Sequence, residues 1–402
     1  MKGQSPYQFS LFRIILGAYL AIHFVDLISH SAEVWSDRGM FADPSLNFTH
    51  GVVPNILFLI DSPVGITAFL IVMAAFAILY MLGVQRNLIS LILWYGWVCL
   101  FDRNNLIANP GLPFIGWLLL ASAVIPKGEP FSLARKREGW KIPSWIWIGA
   151  WVIMSVSYTI SGIDKWMSPS WRDGTAILHL LENPLARATS LREAMVSLPM
   201  SVIHGMTWGI LGLEILFGPL SLFAKTRKWA WIGMIAMHLG ILCIVDFADL
   251  TIGMLMIHVF TFDGRWFKPI YAKEKAVLFF DGVCGLCNSS VDWFMQTDEE
   301  KSLQFAPLQS DVAKKLIPEI LGGPMNTLVL YKDGKVFIES TAVIKSVTGM
   351  GGMWRFAIIL LIIPPFIRNA IYRWISKNRY TWFGKKESCR MPAPEERERI
   401  LW

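Results

Sequence analysis

The chain has 402 residues, 54% of them hydrophobic, with 19 Trp, 25 Phe and a formal net charge of +7. That apolar content excludes an ordinary soluble globular protein, and the length points to two or three domains. The basic surplus sits in short loops and the C-terminal tail, which suits membrane topology and anionic headgroups and argues against a nucleic-acid partner.

No small-residue cleavage site follows the first apolar block, so no cleavable signal peptide is expected. With roughly 20 apolar residues as a spanning length, eight membrane helices are expected near 9–29, 64–84, 87–102, 112–126, 144–162, 202–224, 229–246 and 249–262. The third and last are short and read as tilted or partly spanning. If Lys2 and Arg13 lie inside, then Arg86, the cluster Lys127 to Lys141 and the cluster Lys225, Arg227 and Lys228 all fall inside too. The same count puts Arg265, Lys268 and everything after Phe262 in the cytoplasm, a reducing compartment that suits free thiols.

Two outer loops are long. The second, YTISGIDKWMSPSWRDGTAILHLLENP, sets Asp164 and Lys165 at the membrane boundary between Trp166 and Trp171. A lysine there serves either as a snorkelling anchor or as a functional group in an aromatic pocket. His204, His238, His258 and Glu214 also fall on apolar segments, where such groups usually face a bundle interior. No HxxxH or HxxE pair gives ligand spacing, so no metal is expected.

After Lys268 the composition becomes that of a soluble domain. The run AVLFFDGVCGLCNSSVDWF (276–294) reads as a strand that delivers Cys284 and Cys287 to the first turn of a helix. A helix N-terminus stabilises a thiolate. Cys284 therefore reads as the attacking thiol and Cys287 as the one that resolves the mixed disulfide. Half of a zinc site is the competing reading, but no histidine follows His258, and the only later cysteine is Cys389.

A second strand is expected at 303–307, then a helix near 311–320 and a break at Gly322-Gly323-Pro324. A hairpin follows, with strands at 327–331 and 335–339 about an Asp333-Gly334 turn. The order is that of a thioredoxin-like fold, although Met325-Asn326 occupies the place where thioredoxins set a cis-proline opposite the dithiol. Residues 353–363 are apolar all round but too short to span, which suits a buried or membrane-surface helix. Beyond them Arg368, Arg373, Lys377, Arg379, Lys385 and Lys386, interleaved with Tyr372, Trp374, Tyr380 and Trp382, suit either an anionic headgroup surface or a solvated basic helix.

Two resemblances sharpen this. SGIDKW and SPSWRDGTAI, with SLFRIILG, WSDRG, GLEILFGPL and GMIAMHLGILCIVDF, resemble the HTTM family, membrane proteins related to the vitamin K-dependent γ-carboxylase, over roughly residues 8–268. That resemblance implies Lys165 as a base, with Trp166, Trp171, Glu214 and His238 as substrate-binding candidates. The chain lacks the carboxylase's assisting histidine in FDRNNLIANPGLPF and its large extra domain. A lipid-soluble quinone or hydroquinone is thus implied rather than a glutamate substrate. DGVCGLC, YKDGKVFIESTAVIKSV and PPFIRNAIYRWISKNRYTWFGKKESC resemble the DCC family of thiol-disulfide oxidoreductases, with Asp281 as the leading aspartate of its D-x-x-C-x-x-C motif.

The expected architecture is a polytopic α-helical membrane bundle over 1–268, followed by an α/β thioredoxin-like domain over 269–402. The expected function is a bacterial inner-membrane oxidoreductase coupling Cys284 and Cys287 to a quinone-like molecule, with Asp281 and Lys165 assisting. Its partners would be the bilayer, a lipid-soluble small molecule and a thiol reductant or protein disulfide, with no covalently held cofactor. On the expected topology Lys165 and Cys284 lie on opposite faces of about 30 Å of hydrocarbon, so a diffusing carrier or two separate activities is required. The alternatives are a membrane enzyme that uses Lys165 on a lipid or peptide, with the thiol domain regulatory, and a non-catalytic transporter or scaffold.

Overall fold

Apolar runs without charge become helices here, and turn chemistry decides where they begin. Ser62 accepts a hydrogen bond from the Gly65 N–H, and Pro63 follows at the first helical position, so a helix starts at Pro63. The computed structural model describes residues 5–47, 49–134, 137, 139–246, 248–271, 276–298, 300–321, 327–385 and 396–401. The chain divides into two units, Met1–Phe262 and Asp263–Trp402.

In the first unit every predicted span is helical. The helices are α1 (Pro6–Leu27), α2 (Pro63–Leu82), α3 (Arg86–Arg103), α4 (Leu112–Val124), α5 (Ser144–Met167), α6 (Met200–Leu222), α7 (Ala224–Ile244) and α8 (Ala248–Thr261). Four stretches among the described residues are long and apolar enough to cross a membrane: Pro6–Trp35, α2, α5 and α6. The other four depart in charge or length. α3 contains Arg86, Asp102 and Arg103, α7 begins with Lys225, Arg227 and Lys228, and α4 and α8 are short.

Two basic residues that the topology count treats as loop charges are consumed internally. Arg13 is buried in α1 and donates to the carbonyls of Tyr80 and Phe131 at 3.0 and 2.7 Å. Arg86, equally buried, donates to Glu129 at 2.8 Å and to the carbonyls of Ile125 and Pro126. Glu129 lies 3.4 Å from Arg13 as well, so one carboxylate serves two guanidinium groups. A buried charge persists only when paired and hydrogen-bonded in this way.

Helix α5 lies against α6, and Gly162 lets the backbones approach closely. A Cβ added at Gly162 would stand 2.6 Å from the backbone nitrogen of Ile215. Gly162→Val is expected to destabilise the helical unit by about 1–3 kcal/mol, the usual cost of overpacking. Thermal unfolding of the detergent-solubilised chain checks this, and an unchanged midpoint would refute the close contact.

The second unit is built on a four-stranded sheet, β1 (Ala276–Phe280), β2 (Gln304–Pro307), β3 (Val329–Lys332) and β4 (Lys335–Ile338), in the order β2-β1-β3-β4. β1 pairs parallel with β2 and antiparallel with β3, while β3 and β4 form the expected hairpin. Asp333 and Gly334 both have positive φ, 48° and 74°, as a tight hairpin turn requires. β1 is buried on both faces, which is why its sequence is uniformly apolar rather than alternating. Ala276, Leu278 and Phe280 pack on one side with Val291 and Phe294 of α9 (Gly285–Thr297). Val277 and Phe279 pack on the other with Ala313 and Ile317.

The helix expected near 311–320 is two pieces, α10 (Asp311–Leu316) and a turn at Pro318–Leu321. Pro318 has no N–H with which to continue the first. After α11 (Glu339–Gly349) the stretch Gly352–Ile362 is 3-10 helix, and α12 (Pro365–Phe383) follows at a 112° bend. None of residues 352–362 is buried, so the buried-helix alternative for this stretch is corrected. The chain end is structural: the Phe305 N–H donates to the Arg399 carbonyl and the Leu401 N–H to the Phe305 carbonyl, both at 2.8 Å. Arg399 also donates to the buried Asp298 at 2.6 Å. Cys389, Lys386 and the Gly322 to Asn326 segment lie outside the described residues.

Candidate functional site

The redox pair sits at the junction of β1 and α9. Beyond Phe280, Asp281 folds back on its own turn, with Oδ1 accepting from the Val283 N–H at 3.2 Å. The Cys284 N–H in turn donates to the Asp281 carbonyl at 3.2 Å. Cys284 is thereby set as the N-cap of α9, where its Sγ accepts from the Cys287 N–H at 3.3 Å. Asn288 holds the turn by donating to the carbonyls of Gly282 and Cys284, both at 2.9 Å. Both cysteines are free thiols.

The far end of the sequence closes this site. Arg379 donates to Asp281 Oδ2 at 3.0 Å and Tyr380 donates to the same oxygen at 2.5 Å. The Arg379 and Asp281 side chains are both buried. The Gly285 N–H donates to the Gly384 carbonyl at 3.2 Å, and Lys385 forms a β-bridge with Cys284. Gly285 is required for this approach, because a Cβ there would lie 2.1 Å from the Phe383 carbonyl oxygen. Cys284 is fully buried as a result, while Cys287 keeps partial exposure.

The electrostatics separate the two thiols. Cys284 is lowered to about 6, first by its hydrogen bond with the Cys287 thiol, then by the Cys287 N–H and the Arg379 charge, against burial and the Asp281 charge. The Cys287 thiol moves the opposite way, because it donates to Cys284 and is itself buried. Cys284 is the thiolate near neutrality and Cys287 holds the proton. The thiolate fraction of Cys284 rises with pH through about 6, so its alkylation rate is expected to climb between pH 5 and 7 and then level. A profile that keeps climbing to pH 9 would refute the assignment; iodoacetamide labelling followed by mass spectrometry measures it.

The Asp281 carboxylate anchors Arg379 and Tyr380 beside the thiols. Neither partner was singled out for the site from sequence. Both sit in the basic, aromatic tail that suits either an anionic headgroup surface or a solvated basic helix, and only the fold brings them a hundred residues back. At the start of β3, Tyr372 Oη accepts from the Leu328 N–H at 2.8 Å.

In the helical unit Lys165 Nζ lies 2.5 Å from Glu214 Oε2 and 2.9 Å from Ser161 Oγ, with Trp171 beneath it at 5.4 Å. Glu214 is buried, so these three expected residues do come together. Trp166 is exposed and takes no part in that cluster. His238 instead meets Tyr158, Nε2 to Oη at 2.7 Å, with the His258 ring 5.9 Å away. Among the described residues no group of three or more His, Cys, Asp or Glu is placed to hold a metal ion.

Comparison with known proteins bears on the same residues. The DCC1-like thiol-disulfide oxidoreductase family matches residues 278–385, a span that contains both cysteines, Asp281, Arg379 and Tyr380. The uncharacterized protein YuxK of Bacillus subtilis (strain 168) is 38% identical over 128 residues, which is 31% of this chain and 93% of that protein. A chloroplastic DCC family protein of Arabidopsis thaliana is 32% identical over 121 residues, 29% of this chain and 70% of that protein. No solved structure matches the chain. Nearly the whole of one relative and most of the other are thus contained in this sequence, and the chain belongs to the DCC family, with its thiol-disulfide oxidoreductase domain at the C-terminal end.

Proposed function

We propose that this protein is a membrane-bound thiol-disulfide oxidoreductase whose Cys284/Cys287 pair passes electrons between a disulfide partner and a quinone-like molecule. The observation that carries the thiol chemistry is Cys284 at the N-cap of α9, hydrogen-bonded by Cys287 and facing the Arg379 charge. The Cys284 thiolate attacks one sulfur of the substrate disulfide, forming a mixed disulfide and expelling the other sulfur as a thiolate. Cys287 then loses its proton to that leaving thiolate and attacks Cys284 Sγ. That attack expels the second substrate sulfur as a thiolate, which takes a proton from solvent. The products are the Cys284–Cys287 disulfide and a substrate dithiol, two electrons richer, with one proton from Cys287 and one from solvent. Run with a quinone, the reduced pair yields its disulfide and a hydroquinone, with two electrons from the pair, one proton from Cys287 and one from solvent. The sheet order β2-β1-β3-β4 supports a thioredoxin-like reading of the domain.

The membrane assignment rests on four helices of spanning length and apolarity, with α3, α4, α7 and α8 completing an HTTM-like bundle in the bacterial inner membrane. Lys165 is the candidate base in that bundle. It is paired with Glu214 at 2.5 Å, which puts the two groups at one site. Glu214, Trp171 and His238 remain the candidate substrate contacts of the bundle.

Anaerobic titration of the reduced, detergent-solubilised chain separates these claims. Decylubiquinone should oxidise the dithiol with one quinone consumed per pair, and Lys165→Ala should lose this step while exchange with a small disulfide is unchanged. Exchange without quinone oxidation would remove the coupling and leave the thiol function standing. Exchange that persists at full rate in Cys284→Ser would remove both.

A further inference from the structure

Helix α12 is amphipathic the wrong way round for a soluble domain. Its polar face points inward: Arg368 donates to Ser340 and Thr341 at 2.9 and 2.6 Å, Tyr372 caps Leu328, and Arg379 and Tyr380 hold Asp281. Those positions, 368, 372 and 379/380, recur at helical spacing. The opposite stripe is apolar and open, with Phe366 at 75%, Ile371 at 56% and Trp374 at 60% exposure. The preceding 3-10 stretch extends it through Ile358 and Leu360 to Ile362, the last 80% exposed.

Exposed apolar surface of this extent is costly in water and marks a contact face. Charge selects the partner. Residues 352–385 contain six Arg or Lys and no Asp or Glu. Lys377 is exposed beside the Trp374 stripe; Arg373 is paired with Glu339 at 2.6 Å, and Arg368 and Arg379 are turned inward. Aromatic and aliphatic groups bordered by cations suit the headgroup-acyl boundary of an anionic bilayer. The chain itself carries helices of membrane-spanning length, so such a surface is available to it.

We propose that residues 356–383 lie in the interfacial zone of an anionic bilayer, apolar face down, and act as a surface anchor for the thiol domain. The residues that follow the anchor, Gly384 and Lys385, form the segment that covers Cys284. In that position the dithiol site lies next to the membrane plane, and its disulfide or quinone partner is membrane-borne. Only this last step rests on the proposed thiol chemistry.

The test places benzoylphenylalanine singly at positions 362, 371 and 374 of the full chain, with position 335 in the exposed β3–β4 hairpin as control. Photolysis is done in phosphatidylcholine nanodiscs with and without phosphatidylglycerol. Lipid adducts at the three positions, absent at 335 and several-fold more abundant with phosphatidylglycerol, are expected. Ile371→Glu should abolish the adduct at 374 without altering Cys284 alkylation, which reports that the inward face is intact. Adducts to the helical unit or to a second chain would overturn the proposal in favour of a protein contact. Equal lipid labelling at 335, or none anywhere, would overturn it outright. The same labelling in Cys284→Ser keeps this result separate from any failure of the thiol function.

Discussion

Cys287→Ser is expected to arrest exchange at the mixed disulfide, and Cys284→Ser to abolish it. The asymmetry follows from the site. Cys284 holds the thiolate because the Cys287 thiol and N–H both donate to it and Arg379 adds positive charge. Without Cys287 the first attack still proceeds, but nothing stands one turn away to release the substrate. The serine also donates to Cys284, so much of the lowering survives in that variant. Without Cys284 the hydrogen bond that most raises Cys287 is gone, but burial still raises it, so it attacks slowly. Non-reducing mass spectrometry after mixing each variant with a small disulfide decides the matter. A stable adduct on Cys284 in Cys287→Ser, and none in Cys284→Ser, is the expected result. The opposite pattern would reverse the roles, which is worth measuring because the attacking thiol is the more buried of the two.

Asp281→Ala is expected to cost the thiol domain about 3–5 kcal/mol, the usual penalty for removing one partner of a buried ion pair. Arg379 would keep its charge inside the protein with no carboxylate beside it, and Tyr380 and the Val283 N–H would lose their acceptor. The double variant Asp281→Asn/Arg379→Met removes both charges and should be less damaging than the sum of its single changes. Denaturant titration that reads exposure of Cys284 to alkylation measures these costs. The same variants carry a chemical signature that simple destabilisation does not. Asp281 raises Cys284 and Arg379 lowers it, so Asp281→Asn should shift the alkylation profile to lower pH and Arg379→Met to higher pH. Variants that lose stability with no displacement of the profile would reduce Asp281 to a purely structural clip.

Much of this was legible in the sequence because it is local. The N-cap position of Cys284 follows from a strand, a turn and a helix within a dozen residues, and the Asp333-Gly334 hairpin follows from two residues that tolerate positive φ. The eight helices follow from apolar runs, although charge and length leave four of them of spanning character among the described residues. The pairing of Lys165 with Glu214, 49 residues apart, joins two residues marked separately on the apolar segments. Arg13 and Arg86, by contrast, look like topology signals until Glu129 is seen to hold both.

By itself the sequence determined that two thiols meet at a helix start and that an apolar helical unit precedes them, since both depend on contiguous residues. Only the tertiary structure decided what surrounds the thiols. The tail residues Arg379, Tyr380 and Gly384 reach back across a hundred positions to hold Asp281 and cover Cys284. It also decided which face of α12 is inward, because helical periodicity separates two faces without stating which of them finds the domain. A buried aspartate waiting for a charge drew the polar face in, and the apolar face was left outside.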